Sequence, residues 1–109
     1  MSWIVVFSPE ALDRLDAIEQ FIAEASAPIT AARYVDAIVA YCERLTTFPQ
    51  RGTPRDDLFQ GLRITNYRGS AVIAYVAKEA TQEVAIVGVF YGGQDYETFL
   101  QQDTPEKLS

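Results

Sequence analysis

Between Phe48 and Arg63 every hydrophobic period in this sequence stops. Upstream, apolar residues recur at three- and four-residue steps. Downstream, they alternate or run together in short blocks rich in β-branched and aromatic residues. The stretch between reads Phe-Pro-Gln-Arg-Gly-Thr-Pro-Arg-Asp-Asp-Leu-Phe-Gln-Gly-Leu-Arg, and its prolines and glycines allow neither period to continue. A helical half must therefore pack on a stranded half. At 109 residues this is one domain, able to bury roughly two-thirds of its unfolded surface without metal or disulfide support.

Trp3 to Phe7 reads as a strand. Ser8 and Pro9 follow as N-cap and first helical residue. Leu12, Leu15, Ile18, Ile22 and Ala25 then form the apolar stripe of a helix from about Pro9 to Ala25, with Asp13, Arg14, Asp16, Glu19, Gln20 and Glu24 on its other face. Ser26-Ala27-Pro28 breaks it. A second helix is expected from about Ile29 to Thr46, its stripe made of Val35, Ile38, Val39, Cys42 and Leu45. So short a link favours an antiparallel helix hairpin. Strands are expected at Leu62–Tyr67, Ala71–Ala77 and Val84–Tyr91, joined closely enough for an antiparallel meander. Asp95 to Gln101 has the pattern of a helical turn, and residues 102–109 read as a polar, flexible tail. The fold class is α+β, in the order β-α-α-β-β-β, with the hairpin packed on a small antiparallel sheet; the domain spans residues 1–101.

Charge is unevenly placed. Residues 1–50 carry seven acids and three bases, and residues 69–109 carry six acids and two bases. Residues 51–68 reverse the sign, with four arginines (Arg51, Arg55, Arg63 and Arg68) against two acids. A net charge of −6 opposes non-specific nucleic-acid binding, which depends on neutralising phosphate. The local positive segment is suited to a small anionic contact such as an acidic peptide. The first residues lack a basic leader region and no apolar run approaches bilayer length, so a cytoplasmic protein without a membrane role is expected.

The residue types restrict the chemistry. There is no histidine, and the two lysines are Lys78, ending a strand, and Lys107, in the tail. Cys42, the single cysteine, lies on a helix stripe as a small hydrophobe without a base beside it. Asp56-Asp57 follows Pro54-Arg55 and reads as turn chemistry with local pairing to Arg55, not as a metal site. Gly92-Gly93 reads as a strand terminator and Ser8 as a helix cap. No cofactor, metal site or catalytic residue is assigned.

Several fragments together resemble the RelE/ParE toxin superfamily, and within it the ParE branch, the plasmid stabilisation toxins. They are Phe7-Ser8-Pro9-Glu10-Ala11, Ala32-Arg33-Tyr34, Leu45-Thr46-Thr47-Phe48-Pro49 with Arg51-Gly52, Gly61-Leu62-Arg63, Val72-Ile73-Ala74-Tyr75, and Val87-Gly88-Val89-Phe90-Tyr91-Gly92-Gly93. Their order and spacing cover about residues 3 to 100. The resemblance implies the toxin of a type II toxin–antitoxin system, held to poison DNA gyrase. It also implies a ParD-like antitoxin that pairs a ribbon-helix-helix domain with a tail wrapping the toxin. That complex would be two-plus-two or higher and would reach operator DNA only through the antitoxin. Many relatives are basic and carry a histidine and arginines after the last strand; this chain is acidic and has Tyr91 and Gln94 there.

The similar RelE branch cleaves messenger RNA on the ribosome, which needs positioned acid–base groups and cations. Here Tyr91 and the arginines are the residues available for it, and arginine is a poor base. A partner-binding relic of the fold is the third reading. Candidate contacts for antitoxin or target are Tyr34, Tyr41, Arg51, Arg55, Arg63, Arg68, Tyr91, Tyr96 and Phe99. Tyr34 and Tyr41 are boundary packing or antitoxin contacts. The arginines are solvated surface or receivers of antitoxin carboxylates. Tyr96, Phe99 and Leu100 either fold back on the sheet or are covered by the partner.

Overall fold

A computed structural model describes residues 2–102. β1 is Ile4–Phe7, α1 is Pro9–Ala25 and α2 is Pro28–Glu43, continued by a 3-10 turn at Arg44–Thr46. β2 is Thr53–Pro54, β3 Leu62–Tyr67, β4 Ala71–Lys78, β5 Glu83–Tyr91, and α3 Tyr96–Gln102. The expected tail, apart from Gln102 at the end of α3, lies outside the described residues.

Capping follows the sequence. Ser8 accepts a hydrogen bond from the Ala11 amide at 3.0 Å, and Pro9 opens α1. The buried stripe of α1 is Ala11, Leu15, Ile18 and Ile22. Leu12, assigned to that stripe from its spacing, is 50 % exposed, and Ala25 is exposed too. Leu12 lies about 100° round the helix from buried Ala11, Ala25 is the last residue of the helix, and small Ala11 fits where α1 approaches the sheet.

The strand order is β1-β5-β4-β3-β2. β3, β4 and β5 form the expected antiparallel meander. β1 runs parallel to β5, pairing Ile4 with Glu83 through Phe7 with Ile86, so the sheet is mixed. A connection that passes through both helices leaves β1 free to enter in either direction. β2, two residues paired with Ile64 and Arg63, is too short to leave a period in the sequence.

The sheet buries both faces. One face takes the helix hairpin, with Leu15, Ile18, Ile38, Cys42 and Leu45 against Ile73, Tyr75, Val84, Ile86 and Val89. On the other face Leu58 from the loop before β3 and Leu100 from α3 cover Leu62, Ile64, Ala74 and Phe90. The register between β4 and β5 shifts at Ala74/Tyr75, leaving Val87 as the extra residue in β5. Because strand side chains alternate, that bulge exchanges the faces. Val84 and Ile86 face the helices before it, Val89 and Tyr91 after it, and Phe90 is delivered to the far face. Gly88 makes room for that ring, since a Cβ there would come within 2.7 Å of it.

Candidate functional site

The sheet edge beyond β1 is where surface chemistry gathers. β1 stops at the Phe7–Ile86 pair, and the Ser8 amide makes the last backbone bond to Ile86. Past that point β5 loses its neighbour on this side. Arg14, from the second turn of α1, reaches across and donates from Nε to the Val89 carbonyl at 2.9 Å and from Nη2 to Gln94 Oε1 at 2.9 Å. Its guanidinium carbon lies 4.3 Å from the centre of the Phe90 ring and 4.4 Å from that of Phe99. Arg14 thus satisfies an open strand edge and ties α1 to α3, a cation–π arrangement on two rings. The sequence had it on the solvent face.

The missing strand neighbour leaves a groove of about 570 Å³. Ala17, Ile18 and Phe21 of α1 form one wall, and Tyr91, Gly92 and Phe99 the other. Glu10 and Asp13 stand on its rim. Phe21 is 60 % exposed.

A row of aromatic rings runs from this groove along the seam between hairpin and sheet. Phe21 meets Tyr91 edge-on at 6.0 Å, and Tyr91 meets Tyr34 at 5.4 Å. Tyr34 meets Tyr67 at 5.9 Å, and Tyr67 meets Tyr41 at 5.4 Å. Hydroxyls pin the row: Tyr34 shares a hydrogen bond with Ser70 at 2.5 Å and Tyr41 with Thr65 at 3.0 Å. Burial pushes the Tyr34 hydroxyl above its ordinary pKa, against the opposing pull of its Ser70 bond. Within the chain, the Tyr34 and Tyr41 hydroxyls are thus bonded and the Tyr91 ring packs against Phe21 and Tyr34.

The four arginines do not form one patch. Arg55 grips Asp57 through two bonds, Nε to Oδ1 at 2.9 Å and Nη2 to Oδ2 at 2.8 Å, and also meets Glu97 at 2.8 Å and the Tyr96 hydroxyl at 3.2 Å. Its hydrogen bonds to Asp57 and then Glu97 raise its pKa, and Asp57 is correspondingly lowered. Arg63 points into the loop and donates to the carbonyls of Gln50 at 2.5 Å, Gly52 at 3.3 Å and Arg51 at 3.4 Å. Arg51 donates from Nε to the Phe48 carbonyl at 3.3 Å, and its own carbonyl accepts from the Tyr75 hydroxyl. Arg68 is exposed in the β3–β4 turn. Two of the four are structural fasteners, one holding the loop to α3 and one holding the loop to the sheet.

Tyr96 and Phe99 fold back with α3 rather than standing free. Both rings lie about 6 Å from Phe90, and Leu100 is buried beneath them. Asp95 caps α3 by accepting from the Thr98 amide and hydroxyl, bonds that lower its pKa. Asp56 accepts from the Gly61 amide at 2.8 Å, so the Asp56-Asp57 pair serves the turn and Arg55. Burial pushes the Cys42 thiol up to about 12. Among the described residues no cluster of His, Cys, Asp and Glu is arranged to hold a metal ion, and no helix is long and apolar enough to cross a membrane.

Residues 5–96 match the family described as the ParE toxin of the type II toxin–antitoxin system parDE. The chain belongs to the ParE toxin family. Its fold is shared with a chain of the chromosomal ParDE toxin–antitoxin system from P. aeruginosa, at 22 % identity and a TM-score of 0.69, over 82 % of this chain and 95 % of that one. It is shared also with a chain of the RelBE2 toxin–antitoxin complex from Mycobacterium tuberculosis, at 17 % identity and a TM-score of 0.62, over 84 % of this chain and 100 % of that one. Both likenesses show the RelE/ParE architecture. No curated protein sequence matches the chain.

Sequence reasoning missed three residues of this ParE-family surface. The sequence places Arg14 and Phe21 only on a helix, because nothing local says that β1 ends short of β5. Tyr67, in the aromatic row between Tyr34 and Tyr41, stands in the sequence only as a strand end. Its signal was available: an aromatic before Arg68-Gly69, one strand away from two helix tyrosines spaced seven apart.

Proposed function

We propose that this ParE-family chain is a toxin that acts by docking on a large protein, DNA gyrase, and that a ParD-like ribbon-helix-helix antitoxin silences it. The family match over residues 5–96 carries the reading. The surface supports docking over turnover. The groove beside Tyr91 is walled by Phe21 and Phe99 and rimmed by Glu10 and Asp13, which repel a phosphate backbone. Tyr91, the residue a nuclease would use for proton transfer, has its ring against Phe21 and Tyr34. Arg55 and Arg63, which a nuclease would turn toward phosphate, are committed to Asp57, Glu97 and loop carbonyls.

The P. aeruginosa neighbour comes from a ParDE pair, which supports an antitoxin partner here. The antitoxin tail would cover the apolar groove and the hairpin seam, as helix-in-groove or strand addition. The assembly would be two-plus-two or higher, in the cytoplasm, with operator DNA touched only by the antitoxin. Induced expression of the chain alone should arrest growth, and co-expression of a ribbon-helix-helix protein encoded beside it should restore growth. Harmless expression would instead mark a partner-binding relic. Cleaved messenger on translating ribosomes, lost on Tyr91→Phe, would establish the RelE-type ribonuclease.

A further inference from the structure

A second, smaller recess lies away from the groove, where the end of α2 meets the β3–β4 turn. It measures about 280 Å³ and is lined by Ala37, Ala40, Tyr41, Arg44, Tyr67 and Arg68. We infer that this recess is a carboxylate clamp, in which Arg44 and Arg68 receive the acidic side chains of a peptide segment from a protein partner.

Charge is the first ground. In a chain of net charge −6, these described lining residues include two arginines and no acid. Among the described residues, Arg44 and Arg68 meet no carboxylate. Each guanidinium instead hangs by its ring, Arg44 at 5.8 Å from Tyr41 and Arg68 at 5.7 Å from Tyr67. That leaves their donors directed to solvent or to a ligand, and a guanidinium fork matches a carboxylate.

Rigidity is the second ground. The two rings beneath the arginines pack edge-on at 5.4 Å, and the Tyr41 hydroxyl is tied to Thr65. A shelf fixed in advance loses little freedom on binding. Ala37 and Ala40 leave the floor shallow enough for a side chain to lie across it.

The backbone is the third ground. Tyr67-Arg68-Gly69-Ser70 is a tight turn closed by the Ser70 amide on the Tyr67 carbonyl at 3.0 Å, with φ of 52° at Arg68 and 70° at Gly69. A turn with two positive φ values favours Asn or Gly at its first central position. Arginine there is a locally poor choice, and backbone outliers of this kind point to use of the side chain.

A peptide is favoured over nucleic acid because the lining holds two arginines in a chain of net charge −6, and a nucleic acid would bring further phosphates against a protein of like charge. The clamp stands apart from the gyrase reading and holds whichever target the toxin meets.

The full chain, labelled with nitrogen-15, is titrated with an acetylated octapeptide alternating leucine and glutamate, with its glutamine counterpart, and with a thymidine octanucleotide. The glutamate peptide should shift the amide signals of Ala40, Arg44, Tyr67 and Arg68, and the glutamine peptide should not. Arg44→Gln or Arg68→Gln should weaken binding about threefold, the double variant about tenfold, with the fold intact by its spectrum. Stronger salt should weaken binding severalfold. No shift at millimolar peptide, shifts mapping elsewhere, or equal or tighter binding of the oligonucleotide would each overturn the clamp.

Discussion

Arg55 Nη2 lies 2.8 Å from Glu97 Oε2, and the same nitrogen is 2.8 Å from Asp57 Oδ2. One guanidinium thus holds the loop before β3 to the C-terminal helix. Asp57 and Asp95 both have lowered pKa values, Asp57 by the Arg55 bond and Asp95 by its Thr98 bonds. A carboxylate depressed in the folded state stabilises it above the unfolded pKa of about 3.9, and that help is lost as the pH falls through the folded value. Helix α3 should therefore loosen in acid before the hairpin does. Amide protection at residues 96–100 should drop below about pH 4, ahead of that at residues 31–42. Glu97→Gln should lower it severalfold at neutral pH. Uniform loss across all three helices would contradict the clasp.

Gly52 takes φ of +89°, and a Cβ there would stand 2.8 Å from the Ile64 carbonyl oxygen and 3.2 Å from the Tyr75 hydroxyl. Gly52→Ala should cost about 2–3 kcal/mol, from strain and contact together. Tyr75→Phe, which deletes the bond to the Arg51 carbonyl, should cost about 1 kcal/mol. The two share one loop, so the double variant should depart from the sum of the singles. Urea titrations of all three check this, and unchanged midpoints would mean that the loop is not held here.

Arg68 should be a site where stability rises on substitution. Its positive φ costs about 1 kcal/mol or more relative to a residue suited to the left-handed region. Arg68→Asn should therefore raise the melting temperature by a few degrees, roughly 4–8 °C per kcal/mol in a domain this size. A lower melting temperature would show that the arginine itself braces the turn.

Cys42 should be chemically silent. Its thiol is fully buried and pushed up to about 12, chiefly by desolvation and then by Glu43. Thiolate is the reactive form, so iodoacetamide at pH 8 should label the native chain negligibly and label it quickly in denaturant. Prompt labelling of native protein would place Cys42 nearer the surface.

Much of this fold was legible because each half keeps its own period. Helix α1 and strand β3 begin and end where Ser8-Pro9, Ala25, Leu62 and Tyr67 predict. What could not be read was pairing across the sequence. The parallel entry of β1 beside β5 leaves no local trace, yet it creates the open edge, the groove and the task of Arg14. The arginine segment showed the opposite limit. Its charge density was plain, but only the folded chain shows Arg55 and Arg63 turned inward to Asp57, Glu97 and three carbonyls. Helix α3 was legible as apolar. That it lies on Phe90 follows from the Val87 bulge, which one strand's residues do not announce.

The most direct measurement is gyrase supercoiling of relaxed plasmid with the purified chain, in parallel with messenger cleavage on translating ribosomes. Docking on gyrase predicts supercoiling inhibited at micromolar toxin, restored by antitoxin, and messenger left whole. Undisturbed supercoiling together with cut RNA would contradict it.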